Sequence, residues 1–123
     1  MPRKPLLVFV PLIAVVAVVA TNAPGQRMTT PTLNGTVGPG FTITLKQNGK
    51  TVKTLKAGSY KFVIADKASI HAFALDGPHG FAKDFTTVAF TGTKTMTLKL
   101  KAGSYKYYCP PHETTMFGHF KVT

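Results

Sequence analysis

From residue 35 onward the chain alternates. Phe41, Ile43 and Leu45 are separated by Thr42 and Thr44, Tyr60, Phe62 and Ile64 by Lys61 and Val63, and Met96, Leu98 and Leu100 by Thr97 and Lys99. Side chains two apart on an extended strand share a face, so a period of two sets an apolar face against a polar one. No stretch of 35–123 carries a sustained apolar stripe at helical spacing. Gly40, Gly49, Gly58, Gly80, Gly92, Gly103 and Gly118 fall at the turn spacing of an antiparallel sandwich or barrel. The pattern predicts an all-β domain of about eight short strands, near 41–46, 50–55, 59–66, 70–75, 86–90, 94–101, 104–109 and 117–122.

The beginning of the chain follows another logic. Leu6 to Ala20 holds 14 apolar residues in 15, broken only by Pro11 and preceded by Arg3 and Lys4. A basic start, an apolar run and the small residues Val18 and Ala20 form a secretory signal with cleavage before Thr21; Thr21 and Ala23 offer a second cleavage point. The run is short for a membrane span, which needs about 20 apolar residues, so a retained anchor is the lesser reading. The expected organisation is therefore a signal at 1–20 (up to 23 with the second cleavage point), a Thr-, Pro- and Asn-rich flexible spacer at 21–34, and one domain at 35–123. Export places that domain in the periplasm, the cell envelope or the extracellular space. Losing Arg3 and Lys4 lowers the net charge from +11 to +9, still strongly basic.

One cysteine in 123 residues forbids an intramolecular disulfide and supplies too few thiols for a zinc ribbon or an iron–sulfur cluster. In an oxidising compartment a lone thiol is vulnerable unless something occupies its sulfur. Two readings follow: an inert buried residue, or a metal ligand. Its neighbours favour the second. The run Cys109-Pro110-Pro111-His112-Glu113-Thr114-Thr115-Met116 places an imidazole three residues after the thiol and a thioether four beyond that, on a proline-braced loop. Parity puts Cys109 on the aromatic side with Tyr105 and Tyr107, and His71 with Phe73 and Leu75, so both point inward. Two imidazoles, a thiolate and a weak axial thioether suit copper in both oxidation states. His79, in a turn, and His119, with the parity of Lys121, read as ordinary surface histidines.

The heptapeptide Leu-Lys-Ala-Gly-Ser-Tyr-Lys occurs at 55–61 and again at 100–106. Two copies are too few for a solenoid, and each reads as a turn that begins a strand with an inward tyrosine. The acids Asp66, Asp76, Asp84 and Glu113 are scattered, without the paired spacing of general acid–base work, so the chain reads as a non-enzyme. Lys46, Lys50, Lys53, Lys56, Lys61, Lys99, Lys101, Lys106 and Lys121 fall mostly opposite the apolar positions. The plain reading is a solvated face that keeps the domain soluble and monomeric, and the functional alternative is steering toward an acidic redox partner or an anionic envelope surface. Membrane contact would come only through that charge or an uncleaved signal. Export and the lack of a recognisable module argue against nucleic acid.

Over nearly all of 35–123 the sequence resembles the small secreted plastocyanin-like cupredoxins, the type 1 blue copper proteins. The resemblance runs through Thr36-Val37-Gly38-Pro39-Gly40-Phe41, Asp66-Lys67-Ala68-Ser69-Ile70-His71, Gly77-Pro78, Phe90-Thr91-Gly92-Thr93-Lys94, Gly103-Ser104-Tyr105 and the Cys109 to Met116 loop. It implies a Greek-key β-sandwich or barrel with one copper ion at one end. In that fold His71, Cys109 and His112 form the trigonal plane, Met116 is axial and His112 is the electron port. The implied function is single-electron transfer by Cu(II)/Cu(I) cycling between redox donor and acceptor proteins. The alternatives are copper sequestration or delivery at the same site, and a copper-free structural module. Two departures stand out: Ala72 follows His71 where the family commonly has asparagine, and Phe117 stands where lysine is frequent. The first removes a hydrogen-bonding support between ligand loops.

Overall fold

The computed structural model describes residues 29–123 together with Pro2, Arg3, Pro5 and Pro11. The rest of the expected signal at 1–20, both cleavage points and the spacer up to residue 28 lie outside the described residues.

Among the described residues ten strands form two five-stranded sheets. The first sheet runs in the order β3 (Lys50–Thr51), β2 (Ile43–Gln47), β1 (Thr32–Val37), β5 (Gly58–Asp66), β8 (Gly92–Leu100). The second runs β4 (Thr54–Leu55), β10 (Phe117–Val122), β9 (Gly103–Tyr108), β6 (Ala74–Asp76), β7 (Ala82–Asp84). Their inner faces enclose one core that includes Leu33, Leu45, Phe62, Ile64, Phe73, Leu75, Tyr105 and Phe120. The fold is an all-β sandwich, and among the described residues the helical content is two three-residue 3-10 turns.

The alternation expected from the sequence holds in β5, where Tyr60, Phe62 and Ile64 are buried, and in β9, where Tyr105 and Tyr107 are. The repeated heptapeptide is one device used twice. Gly58 and Gly103 take φ of 153° and 147°, and the tyrosine two residues on donates its hydroxyl hydrogen back to a carbonyl: Tyr60 to Lys56 at 2.7 Å, Tyr105 to Lys101 at 2.8 Å. Each turn thereby satisfies a buried phenol while starting a strand.

Four expectations shift, the first being the strand expected at 50–55, which breaks into β3 and β4 in different sheets. Strand pairing begins at Thr32, so the residues just before 35 belong to β1. That strand pairs antiparallel with β2 and parallel with β5, at the centre of its sheet. Gly35 within it is required because a Cβ there would strike Ile64 and approach Phe73 to 2.9 Å. The strand expected at 86–90 is a turn, and the pairing lies earlier, at β7. The strand expected at 70–75 is confined to β6, which leaves His71 in the segment leading into it.

Lys46, Lys50, Lys53, Lys56, Lys61, Lys99, Lys101 and Lys121 are exposed, as the pattern predicted, and Lys106 is half-buried.

Candidate metal centre

At the end of β9 the chain leaves the sheet at Cys109, makes a 3-10 turn over Pro110–His112 and returns to β10 after Met116. Both prolines sit at the start of the turn, where a missing N–H costs nothing. The loop is tied by its own backbone. His112 N–H donates to Cys109 O at 2.9 Å, Met116 N–H to His112 O at 2.8 Å, and Cys109 N–H to Met116 O at 3.0 Å. These bonds fix Cys109 and Met116, both buried, on either side of a half-buried His112.

His71 reaches the same place from β5 through a turn in which its N–H donates to Ala68 O at 3.2 Å. It is fully buried, but strand parity is not the reason, because Ala72 and Ala74 are buried as well. The whole segment from His71 to Leu75 passes through the interior, and small residues at 72 and 74 permit this.

Three donor atoms converge. His71 Nδ1 lies 3.2 Å from His112 Nδ1, and Cys109 Sγ lies 3.7 Å from the former and 3.6 Å from the latter. A point in their plane stands about 2.0 Å from all three, the scale of a bond from a first-row metal ion to imidazole nitrogen and slightly short of one to thiolate sulfur. A ligand-sized triangle of one soft and two borderline donors, largely shut off from water, is chemically matched to copper. Among the described residues these three form the one cluster of His, Cys, Asp and Glu atoms close enough to hold a metal. Met116 closes the loop beside them. His79 and His119 are exposed and take no part.

Ala72 lacks the side-chain amide that would tie the ligand loops, but its backbone N–H donates to Cys109 Sγ at 3.5 Å. A main-chain donor links the two loops directly and stabilises negative charge on the sulfur.

Two residues near the cluster escaped the sequence reading. Phe41, expected inward from its alternation, is 62% exposed. It stands edge-on to both imidazoles, with ring centroids 5.2 Å from His71 and 5.0 Å from His112. The backbone carries it there through Gly38, whose φ of 74° is a left-handed conformation. The other is Asp66, a buried acid at the end of β5. Only the Gly-Pro-Gly preceding Phe41 hinted that the alternation breaks there.

Beside Cys109, on the outer face of its sheet, Tyr108 donates its hydroxyl hydrogen to Asp76 Oδ1 at 3.2 Å. Burial first, then that hydrogen bond and the negative charges of Asp76, Glu113 and Asp84, push its pKa up to about 12. Lys106 spans this face, paired with Glu113 at 2.9 Å and lying over the rings of Tyr108 and Phe117.

The sequence signature described as copper binding proteins, plastocyanin/azurin family, matches residues 17–123. No functionally curated protein matches the chain. Among solved structures the chain is similar to the copper protein rusticyanin, with a TM-score of 0.55 at 19% identity over 76% of this chain and 78% of that one. Reduced rusticyanin gives 0.54 at 24% identity over 76% and 79%. A Cu(I) methionine-to-glutamine mutant of amicyanin gives 0.50 at 12% over 76% and 83%. At such identities these likenesses establish the fold.

Proposed function

The chain belongs to the plastocyanin/azurin family of copper binding proteins, and from that premise we propose that it is an exported carrier of single electrons rather than an enzyme. His71, Cys109 and His112 would hold one copper ion in a type 1 centre, with Met116 as the fourth ligand. The observation that carries this reading is the triangle of His71 Nδ1, His112 Nδ1 and Cys109 Sγ. The bound ion supplies a one-electron change between Cu(II) and Cu(I).

The rest is the work of the chain. The loop bonds from Cys109 to Met116 and the Ala72 N–H fix the donors in a single geometry, so little has to move when the charge changes. Burial of Cys109, His71 and Met116 keeps water and oxidants from the sulfur. His112, half-buried and next to exposed Phe41, is the edge through which an electron would pass. The exposed lysines favour a redox partner with an acidic docking face. We read residues 1–20 as the signal that delivers the domain to an oxidising compartment. A loosely supported site would favour the sequestration alternative, but at Ala72 a main-chain N–H supplies a direct link to Cys109 Sγ.

The test is the colour of the copper-loaded protein. Addition of Cu(II) should give an intense blue or green absorption from thiolate-to-copper charge transfer. Cys109→Ser should abolish it, and a colourless complex, or one unchanged in Cys109→Ser, would overturn the reading. Fast electron exchange with an added cytochrome separates a carrier from a sequestering protein.

A further inference from the structure

Two buried polar atoms near the centre have no hydrogen-bond partner: His71 Nε2 and Asp66 Oδ2. They are complementary. His71 turns Nδ1 toward Cys109 and His112, so an imidazole that offers its Nδ1 lone pair to a metal carries its hydrogen on Nε2 and is a donor there. Asp66 is 2% exposed, and its Oδ1 already accepts the Ala68 N–H at 3.2 Å, leaving Oδ2 as a free acceptor. A buried donor or acceptor left unpaired keeps the full cost of its lost hydration.

Their residues stand at the two ends of one turn. Asp66 ends β5 opposite Val37 of β1. The next residue, Gly38, lies against the His71 ring: a Cβ there would be 3.1 Å from His71 Cδ2, the atom bonded to Nε2, and 3.1 Å from Ala68 Cβ. Ala68 in turn gives its N–H to Asp66 and its carbonyl to the His71 N–H. Asp66 and His71 therefore flank the same turn, and their two unpaired atoms are not hydrogen-bonded to each other directly. A single internal water satisfies such a pair.

We propose that Asp66 is the positioning residue for His71, its Oδ2 joined through one internal water to the Nε2–H of the imidazole. This fixes the tautomer that presents Nδ1 to the metal and holds the ring in plane with the other donors, as carboxyl groups behind metal-bound histidines do. Orientation of the first ligand then comes from the residues before it, in a chain whose residue after it, Ala72, has no side chain to supply it. The inference rests on the copper reading for its purpose but not for its geometry.

The test uses the full chain. In the metal-free and Cu(I) proteins, nitrogen-15 NMR of the histidine side chains should show His71 as the Nε2–H tautomer, with a slowly exchanging proton and a cross-peak to a long-lived water. Asp66→Asn, which keeps the shape and the Ala68 contact, should shift that proton. Asp66→Ala should expose it to exchange and weaken Cu(II) binding about 10- to 100-fold, while Asp76→Ala, a control acid outside this turn, should do neither. An Nδ1–H tautomer, or no water cross-peak in the wild-type protein, overturns the proposal even if neither Asp66 variant folds. So does Cu(II) affinity within twofold of wild type in a folded Asp66→Ala. Should the wild type bind Cu(II) without intense colour while the His71 proton behaves as described, the copper reading fails and the Asp66 assignment stands.

Discussion

Phe41→Ala isolates the outer wall of the centre. With 62% of its surface exposed, Phe41 buries little more than a third of what a core phenylalanine buries. Full burial of such a side chain contributes about 1.5–3 kcal/mol, so the area lost here is worth roughly 0.5–1 kcal/mol. Its edge-on contacts with His71 and His112 add to that. Aromatic pairs contribute about 0.5–1.5 kcal/mol each, and the lower end applies to a ring this exposed. The variant should therefore lose about 1–2 kcal/mol in all. For a domain of this size that lowers the melting temperature by about 4–8 °C for each kcal/mol.

Urea unfolding of the metal-free and copper-loaded proteins measures the loss. The loss should be larger with copper bound, because fixed imidazoles give Phe41 defined edges to rest on. Removing the ring also uncovers the His112 side of the site, so azide should perturb the copper spectrum of Phe41→Ala and not that of the wild type, and Phe41→Leu should restore most of the protection. A stability change below about 0.3 kcal/mol, within the scatter of ordinary surface substitutions, together with no azide effect, would refute the view of Phe41 as a cover.

Other consequences follow from the same structure. Tyr108, pushed up to about 12 in the folded state from 10.0, holds its proton more tightly there than in the unfolded chain. Its contribution to stability is thus complete below pH 10 and disappears between pH 10 and 12; Tyr108→Phe should flatten that part of the stability profile, and the last tyrosine absorbance change of the wild type should vanish with it. Gly118→Ala drives a methyl into the Tyr107 ring and should cost about 1–3 kcal/mol by overpacking, seen as a lowered urea midpoint with an unchanged slope. Copper at a thousand times its dissociation constant should add about 4 kcal/mol to the unfolding free energy, an increment that a chelator removes and Cys109→Ser never shows.

What could be read from the sequence divides along a physical line. The ligand loop was legible because the chemistry is local: Cys109, His112 and Met116 lie within eight residues, and two prolines keep the loop short. The β5 and β9 faces were legible because their alternation is unbroken. β1 was not, since Thr32 to Val37 carries only Leu33 and Val37 as bulky apolar residues, and the case for Gly35 lies in Ile64 and Phe73, about 30 and 40 residues away. Phe41 and Asp66 were missed for a related reason. An exposed phenylalanine and a buried acid both contradict their patterns, and what resolves the contradiction is the turn at Gly38, which sets Phe41 against two rings and packs against His71 and Ala68 one residue after Val37, the strand partner of Asp66. Gly38→Ala should then disturb both at once. Its φ of 74° disfavours any side chain, and the added methyl presses on His71 Cδ2. If the Gly38 turn holds the His71 ring in place, the NMR signal of the His71 Nε2–H should move in Gly38→Ala even though neither His71 nor Asp66 has been changed. An unchanged signal in a folded Gly38→Ala would show that the turn does not set the position of the ring.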